Sequence, residues 1–349
     1  MNLCAVARVC VLAGIAAHAY TASTFTNPLL ESGPDPWVAE RGGYYYFMRT
    51  MGKNLTIWKT RDIADLKHAE RKVVWIPPKH RPYSKELWAP ELHYLQGAWY
   101  IYFAADSGEN STHRLWVVEN RSPDPLLGDW TLKGELTDAS DKWAIDPTVF
   151  EWRSKLYVVW SGWPGDVNGT QDLYIAQMKN PWTIEGRRVM ISAPQYAWEE
   201  FGDLPNHQHV NVNEGPEILQ HGSKIFLIYS ASGCWTDHYE LGMLTASADA
   251  DLLDARSWKK SEQPVFVESP GAHAYGPGHN GFFKSPDGTE DWIIYHANAK
   301  PHEGCRRFRS PRAQRFAWNA DGTPNFGNPV PIGEPIQRPS GASESGRAR

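Results

Sequence analysis

The sequence predicts an all-β fold, a single five-bladed β-propeller with its active site at one mouth of the central channel. The main observation is a pattern that recurs five times: a proline beside an acidic or polar residue, a short connection, and a strand rich in β-branched and aromatic residues. The strands of successive copies begin at positions 44, 99, 156, 225 and 292. Copies of this length, separated by Gly, Pro and Asp turns, are typical of propeller blades.

Each copy contributes a proline motif, a strand and, in the first four copies, a further apolar segment at 55–60, 115–119, 173–177 and 241–245. The motif and strand pairs are Asp35-Pro36 with 44–47, Pro90-Glu91 with 99–103, Asp146-Pro147 with 156–160, Glu214-Gly215-Pro216-Glu217 with 225–229, and Pro277-Gly278-His279 with 292–295. Only 249–257 has a brief helical pattern. A β-sandwich is the alternative, but the near-equal spacing of the copies argues against it.

The domain limits follow from the repeat and from the two ends of the chain. Residues 1–19 combine a basic residue, a short apolar run and an Ala-His-Ala site, which is typical of a secretory signal peptide. The alternative is an ordinary buried strand or helix. Residues 25–338 are predicted to form one propeller domain, and 339–349, which are small and polar, a flexible tail.

Export to an oxidising compartment agrees with the remaining motifs. Cleavage after Ala19 would leave Cys234 and Cys305, which either form one disulfide or stay as two buried thiols. Four Asn-X-Ser/Thr sequons also fit a secreted, extracellular glycoprotein; they begin at Asn54, Asn110, Asn120 and Asn168.

Charge and aromatic content narrow the function classes. The 35 Lys and Arg residues against 40 Asp and Glu residues give a net charge of -5 without a basic cluster, so we expect no nucleic-acid partner. We also expect no membrane association and a monomer. The chain holds 17 Trp, 15 Tyr and 12 Phe residues, and flat apolar faces of this kind can stack on sugar rings.

The acidic residues of the repeat predict the type of reaction that the protein catalyses. In a propeller the first residues of the innermost strands converge at one mouth of the channel. Carboxyl groups in one pocket repel each other when ionised, so one of them holds its proton at neutral pH. Glycoside hydrolysis uses such a division between an acid and a base. The alternative is that Asp-Pro pairs only form turns. The repeat brings to this position Asp35, Glu91, Asp146, Glu214 with Glu217, and His279.

These motifs, in their order and spacing, resemble glycoside hydrolase family 43, the five-bladed inverting arabinanases, arabinofuranosidases and xylosidases. The resemblance rests on Ser-Gly-Pro-Asp35-Pro, Trp88-Ala-Pro-Glu91-Leu-His, Ala-Ile-Asp146-Pro-Thr and Asn-Glu214-Gly-Pro-Glu-Ile. It implies that Asp35 is the general base, Glu214 the general acid, and Asp146 the carboxylate that tunes and orients the acid. Inversion would require Asp35 and Glu214 to lie roughly 6.5 to 9.5 Å apart.

Further residues are expected to bind substrate. Trp37, Trp88 and Trp163 lie beside the channel motifs, and one or more of them would form a wall of the sugar subsite, with Glu91 nearby. The resemblance also implies that Arg309, with Arg312 as the alternative, points into the pocket.

The resemblance implies that His279 is an axial histidine. It is either a ligand of a calcium or other ion in the channel or a structural residue, and it is also expected among the residues that bind substrate. No cofactor is expected to be required.

The resemblance to arabinofuranose-releasing enzymes is greatest at Trp88-Ala-Pro-Glu-Leu-His, Gly233-Cys-Trp-Thr and Tyr295-His-Ala-Asn. We therefore expect an exo-acting inverting α-L-arabinofuranosidase that releases terminal L-arabinofuranose from plant cell-wall arabinan or arabinoxylan. A β-xylosidase or an endo-arabinanase of the same family is the alternative. A non-catalytic sugar-binding propeller is the alternative from another class.

Overall fold

The computed structural model describes residues 23–342, and this part of the chain consists of β-strands joined by turns and short 3-10 helices. The strands are β1 (Thr24–Phe25), β2 (Trp37–Arg41), β3 (Tyr44–Met48), β4 (Leu55–Thr60), β5 (Glu70–Trp75), β6 (Lys85–Leu95), β7 (Ala98–Asp106), β8 (Arg114–Asn120), β9 (Thr131–Glu135), β10 (Ala144–Trp152), β11 (Lys155–Gly162), β12 (Thr170–Asn180), β13 (Thr183–Ser192), β14 (Asn211–His221), β15 (Lys224–Ala231), β16 (Glu240–Ser247), β17 (Lys259–Lys260), β18 (Tyr275–Lys284), β19 (Asp291–Asn298), β20 (Ser310–Trp318), β21 (Pro324–Asn325) and β22 (Ile336–Gln337).

The 3-10 helices lie between strands. They are Ile63–His68, Asn110–Thr112, Ala197–Glu199, Ala255–Ser257 and Pro270–Ala272. The helical pattern predicted over 249–257 is therefore limited to one three-residue turn. None of the helices within 23–342 is long and apolar enough to cross a membrane. The all-β class is confirmed.

Consecutive strands pair antiparallel in groups of four: β2 to β5, β6 to β9, β10 to β13, β14 to β17 and β18 to β21. The third and fourth groups join in one eight-stranded sheet, because Thr170 and Gln171 of β12 pair in parallel with Asn211 and Val212 of β14. Near the two ends of the described chain, β1 pairs with β22. The strand predicted after each proline motif is the second strand of each group.

Apolar packing joins each group to the next. One hydrophobic cluster lies between each pair of consecutive groups, and a further cluster combines residues of the first group with residues of the last. The first strands also contact one another in sequence, from β2 to β6, β10, β14 and β18 and back to β2. Trp130 and Trp258 belong to these clusters and Trp182 packs against one, as expected for inter-group packing.

The residue before the motif proline has a left-handed backbone in every group. The φ angles are 56° at Asp35, 42° at Ala89, 55° at Asp146, 52° at Gly215 and 57° at Gly276. This conformation is unfavourable for non-glycine residues, and such strain concentrates at functional sites. Pairing of the first strand shifts register here in the last four groups. The strands thus begin with an irregular turn that determines where the acidic side chains lie.

The ends of the chain fall partly outside the described residues. The signal peptide predicted over 1–19 lies outside them, as does most of the predicted tail. Within the described part of the tail, the backbone N–H of Ser340 donates to Glu290 at 3.0 Å, and its hydroxyl donates to Asp287 at 2.5 Å.

Candidate active site

A cavity of about 670 Å³ opens at the end of the molecule where the first strands begin. Its walls come from all five groups of strands, although these segments are far apart in sequence. Six of the residues predicted from the sequence line it: Asp35, Trp88, Asp146, Glu214, His279 and Arg309.

Asp35 is buried and held in its ionised form by several neighbours. Nη1 of Arg309 donates to Oδ1 of Asp35 at 2.8 Å, and the Thr50 hydroxyl donates to Oδ2 at 2.5 Å. The backbone N–H of Asp35 donates to Nδ1 of His296 at 3.1 Å. Burial raises the pKa of Asp35, but the charges of Arg309, His279 and His296 and the Thr50 hydrogen bond outweigh it, so the pKa lies well below its usual range.

Glu214 retains its proton to a much higher pH than Asp35 does. Burial raises its pKa, the hydrogen bond from the Tyr239 hydroxyl (2.8 Å to Oε1) lowers it, and the charge of Asp35 raises it, with the result at about 7. A proton on Glu214 is therefore available at mildly acidic pH. The two carboxyl groups predicted as base and acid differ in pKa in the direction that these roles need.

Asp146 contacts the backbone beside Glu214. Its Oδ2 accepts a hydrogen bond from the N–H of Gly215 at 3.0 Å, which ties it to the residue next to the predicted acid. Burial and the charges of Glu214 and Asp35 raise the pKa of Asp146 well above its usual range. Because the charge of Glu214 raises the pKa of Asp146, the two groups titrate together, and the pair retains a proton above the usual carboxyl range.

His279 lies between two of the acids. Its Nδ1 is 3.5 Å from Oδ1 of Asp35 and 3.9 Å from Oδ2 of Asp146. Burial lowers the pKa of His279, while the charge of Asp35 opposes this shift. A Cβ at Gly215 would lie 3.1 Å from the same ring nitrogen, so this position needs glycine both for its space and for its φ of 52°.

The cavity wall contains one of the three predicted tryptophans. Trp88 lines the cavity, stacks on His113 with ring centroids 4.0 Å apart, and donates from Nε1 to Glu86 at 3.1 Å. Two further tryptophans, Trp143 and Trp235, also line the cavity. Trp163 stacks on Trp143 with ring centroids 4.8 Å apart and does not itself line the cavity, so it supports the wall from behind.

Two other predicted residues do not line the cavity. Trp37 donates from Nε1 to the carbonyl of Leu92 at 3.0 Å and packs against His93. Glu91 is buried and bonded to Nε2 of His93 at 2.8 Å, and it shares a hydrogen bond with Glu217. Burial raises the pKa of both Glu91 and Glu217 well above the usual range, and mutual repulsion adds to this at Glu91.

The irregular turns explain this division. Asp35 and Asp146 directly precede the motif proline, and Glu214 stands one residue earlier, whereas Glu91 and Glu217 directly follow it. The acids of the repeat therefore form two layers. We call Asp35, Asp146 and Glu214 the mouth carboxyls, and Glu91 with Glu217 the inner pair.

Sequence reasoning missed several residues that support the site. Trp143 precedes Asp146 by three positions, as Trp88 precedes Glu91, and this shared spacing could have identified it. His296 lies in the Tyr-His-Ala-Asn motif quoted above. Thr50, which links Asp35 to the backbone N–H of Ala89 (2.7 Å), and Tyr239 follow no repeated pattern.

The sequence left two alternatives open: whether Arg309 or Arg312 points into the pocket, and whether Cys234 and Cys305 form a disulfide. Arg309 contacts Asp35, whereas Arg312 is fully buried and donates to the carbonyls of His273 and Asn298 at 2.7 and 3.1 Å. Cys234 and Cys305 form a disulfide, and both line the cavity.

The side chains around His279 offer few ligands for a metal ion. Among residues 23–342, no group of three or more His, Cys, Asp or Glu side chains is arranged to hold a metal ion. The nearest carboxylate oxygens, on Asp35 and Asp146, accept hydrogen bonds from Arg309 and from Gly215 N–H. Calcium needs six to eight oxygen ligands, so this donor set does not by itself form a calcium site.

A family model for Glycosyl hydrolases family 43 matches residues 25–324. The chain belongs to this family. The match covers all five groups of strands and confirms the resemblance of the sequence motifs.

Individual relatives agree with the family model. An extracellular exo-α-(1→5)-L-arabinofuranosidase of Streptomyces avermitilis is 42% identical over 320 residues, which are 89% of this chain and 64% of the relative. An α-L-arabinofuranosidase 43 of Humicola insolens is 38% identical over 95% of this chain and 69% of the relative. The crystal structure of an α-L-arabinofuranosidase from Lactobacillus brevis is 38% identical with a TM-score of 0.82, covering 89% of this chain and 98% of that one. The chain thus spans just under two thirds of the S. avermitilis relative.

Family membership fits the geometry of the mouth carboxyls. Glycoside hydrolysis needs two carboxyl groups and water, and it needs no cofactor. The cavity of this family 43 chain supplies one carboxyl group held ionised and a second that retains a proton near neutral pH.

Proposed function

We propose that this chain is an inverting, exo-acting α-L-arabinofuranosidase that releases terminal L-arabinofuranose from arabinan or arabinose-containing hemicellulose. The single observation that carries the proposal is the opposite pKa shift of Asp35 and Glu214 in one cavity. The S. avermitilis, H. insolens and L. brevis relatives are all named as arabinofuranosidases, which supports the arabinofuranoside substrate.

In this mechanism Asp35 is the general base. Its carboxylate accepts a proton from a water molecule, and the oxygen of that water attacks the anomeric carbon on the face opposite the leaving group. Arg309 and Thr50 keep the carboxylate ionised and fixed in direction, since each donates to a different oxygen of Asp35.

Glu214 is the general acid in the same step. Its proton moves to the glycosidic oxygen as the bond from that oxygen to the anomeric carbon breaks, so the leaving group departs as a neutral alcohol. Asp146 orients the acid through its hydrogen bond with the N–H of Gly215. After the sugar departs, Asp35 gives up a proton and Glu214 regains one from solvent.

The cavity walls favour binding of a terminal sugar. Trp88 and Trp235, which line the cavity and are partly exposed, supply flat apolar faces, and Arg309 supplies hydrogen-bond donors. A volume of about 670 Å³ is in the range of small-ligand pockets. We propose that one arabinofuranose unit occupies this space and that the remaining polymer leaves through the mouth.

We also propose that the five four-stranded groups are the blades of a closed propeller over 25–338. The cyclic contacts of β2, β6, β10, β14 and β18 and the cluster that combines the first and last groups support a ring. Pairing of β1 with β22 would help to close it. A crystal structure with other than five blades would contradict this part of the proposal.

Two parallel assays test the substrate. Aryl α-L-arabinofuranoside and aryl β-xyloside are compared at equal concentration, and we expect turnover of the arabinoside to exceed that of the xyloside at least tenfold. Equal or greater xyloside activity would instead favour a β-xylosidase. On linear arabinan we expect monomer as the first product, and early oligomers would indicate an endo-arabinanase.

The non-catalytic alternative makes a different prediction. A sugar-binding propeller would bind arabino-oligosaccharide without releasing arabinose from it. Turnover by the parent protein that is lost in Glu214→Gln, with ligand binding retained in that variant, would contradict this alternative.

We propose that no dissociable metal takes part in the reaction. A structural calcium beside His279 would have to complete its coordination with water. Dialysis against EDTA should leave activity unchanged; a loss that calcium restores would establish an ion site.

Secretion after removal of residues 1–19 and a monomeric state are also part of the proposal. The S. avermitilis relative is named as an extracellular enzyme, which supports secretion. The mature N-terminus of secreted protein and light scattering in solution test these two points.

A further inference from the structure

The Cys234–Cys305 disulfide joins two loops at the cavity mouth, and each loop leads to one of the mouth carboxyls. The loop over 232–239 ends at Tyr239, whose hydroxyl donates to Glu214. The loop over 299–309 ends at Arg309, whose guanidinium donates to Asp35. One covalent bond therefore connects the segments that hold the predicted acid and the predicted base.

The loop over 232–239 is firmly attached to the rest of the molecule. The backbone N–H of Gly233 donates to the carbonyl of Phe201 at 2.8 Å, and the N–H of Gly276 donates to the carbonyl of Asp237 at 3.1 Å. Tyr239 is only 1% exposed, and its ring lies parallel to that of His296. Cys234 is thus a fixed point beside the cavity.

The loop over 299–309 is less buried, yet its carbonyls orient Arg309. Residues 306–308 are exposed. Nη2 of Arg309 donates to the carbonyl of Cys305 at 3.3 Å, and Nε donates to the carbonyl of Arg306 at 3.4 Å. The position of Cys305 therefore sets the direction from which the guanidinium approaches Asp35.

We propose that the Cys234–Cys305 disulfide is a positioning element for the general base: it fixes the loop carbonyls that hold Arg309 against Asp35. The inference rests on the proposed role of Asp35. A guanidinium beside a carboxylate stabilises its ionised form, and this effect weakens when the contact is made for less of the time. Cutting the disulfide should therefore let Asp35 take up a proton at a higher pH.

A second link between the two loops should keep the protein folded when the disulfide is cut, so that a shift in the pKa of Asp35 can be distinguished from unfolding. The backbone N–H of His302 donates to the Asp237 carboxylate at 2.8 and 3.1 Å, and Nδ1 of His302 lies 3.0 Å from it. This link persists when the disulfide is cut. We expect a loosened loop on an intact fold.

The test measures kcat/KM against pH on an aryl α-L-arabinofuranoside. It compares the oxidised protein, the same protein treated with a reductant, and the double variant Cys234→Ser/Cys305→Ser, all checked for folding by circular dichroism. We expect the acidic limb of the profile to move up by about half a pH unit without the disulfide. A loss of active protein alone would lower kcat/KM at every pH without moving the acidic limb. An acidic limb that does not move when the disulfide is removed would overturn the proposal.

Arg309→Lys provides the matched control, because a lysine cannot reproduce the bonds of the guanidinium to both the carboxylate and the loop carbonyls. Reduction should shift the acidic limb in the parent and leave it unshifted in this variant. An equal shift in both would contradict a route through Arg309. Absence of turnover by the oxidised parent would instead contradict the proposed function, which distinguishes the two failures.

Discussion

The two layers of buried acids differ in how their carboxyl groups are supported. Each mouth carboxyl has its own partners: Arg309 and Thr50 for Asp35, Tyr239 for Glu214, and Gly215 N–H for Asp146. The inner pair has mainly each other and His93. Different surroundings push the pKa values of Asp35 and Glu214 apart, whereas similar surroundings raise both values of the inner pair. Burial alone therefore produces protonated acids, and the specific partners produce an acid and a base.

The largest difference is expected between Glu214→Gln and Glu217→Gln, the same change made three residues apart. Glu214→Gln should lower kcat/KM about a thousandfold, because the glycosidic oxygen loses its proton donor. Glu217→Gln should lower it less than about tenfold. Steady-state kinetics on an aryl arabinofuranoside measures both.

The leaving group provides a control for this comparison. A dinitrophenyl arabinofuranoside needs little protonation to depart, so Glu214→Gln should lose much less activity on it. Equal losses on good and poor leaving groups would contradict an acid role for Glu214.

Arg309→Met should have the next largest effect. The general base must be ionised, and removal of the guanidinium raises the pKa of Asp35. We expect the acidic limb of kcat/KM to move up by about one pH unit or more. Arg315→Met, a change at an exposed arginine, is the control and should leave the limb in place.

Tyr239→Phe should act on the other limb. The general acid must be protonated, and the hydrogen bond from Tyr239 lowers the pKa of Glu214. Its removal should move the alkaline limb up from near pH 7 by about half a unit. Tyr295→Phe removes a buried hydroxyl that contacts Gln314 instead. If both variants gave the same shift, the effect could not come from the Glu214 contact.

The smallest expected effect concerns stability and the inner pair. A carboxyl group with a raised pKa in the folded state favours folding below its unfolded pKa, and this contribution is lost as pH rises through the folded value. The parent should therefore lose stability from about pH 5 upwards, and Glu217→Gln should reduce that loss by about 1 kcal/mol. Urea unfolding at several pH values measures this, with the exposed Glu262→Gln as control. A steeper loss in Glu217→Gln would contradict the raised pKa.

The strands of the repeat and the positions of the mouth carboxyls could be predicted from the sequence, because both depend on local patterns. A strand needs alternating apolar residues, and the proline motifs recur at fixed offsets, so Asp35, Asp146 and Glu214 could be brought together without coordinates. The same offsets predicted Glu91 beside them. Glu91 follows its proline, whereas Asp35 and Asp146 precede theirs, and the distance from proline to strand does not show that this difference moves the side chain out of the cavity wall. Trp37, which also directly follows a motif proline, is likewise not part of the cavity wall.

Other parts of the site depend on contacts between distant segments. Arg309 could be ranked over Arg312 only by resemblance, and the cross-link of Cys234 to Cys305 remained one of two alternatives. Tyr239 and Thr50 have no counterparts in the other copies of the repeat, because each contacts a single carboxyl group: Glu214 and Asp35, respectively. Such residues become visible only when the loops are assembled around the cavity.

The configuration of the first-formed sugar tests the division of roles between Asp35 and Glu214 most directly. An aryl α-L-arabinofuranoside is hydrolysed with enough protein for turnover within a minute or so, and the anomeric signals are followed by proton NMR from the start. The proposed mechanism predicts β-L-arabinofuranose as the first product, which later equilibrates. Initial formation of the α anomer would mean retention and would contradict the assignment of Asp35 as a base that activates water.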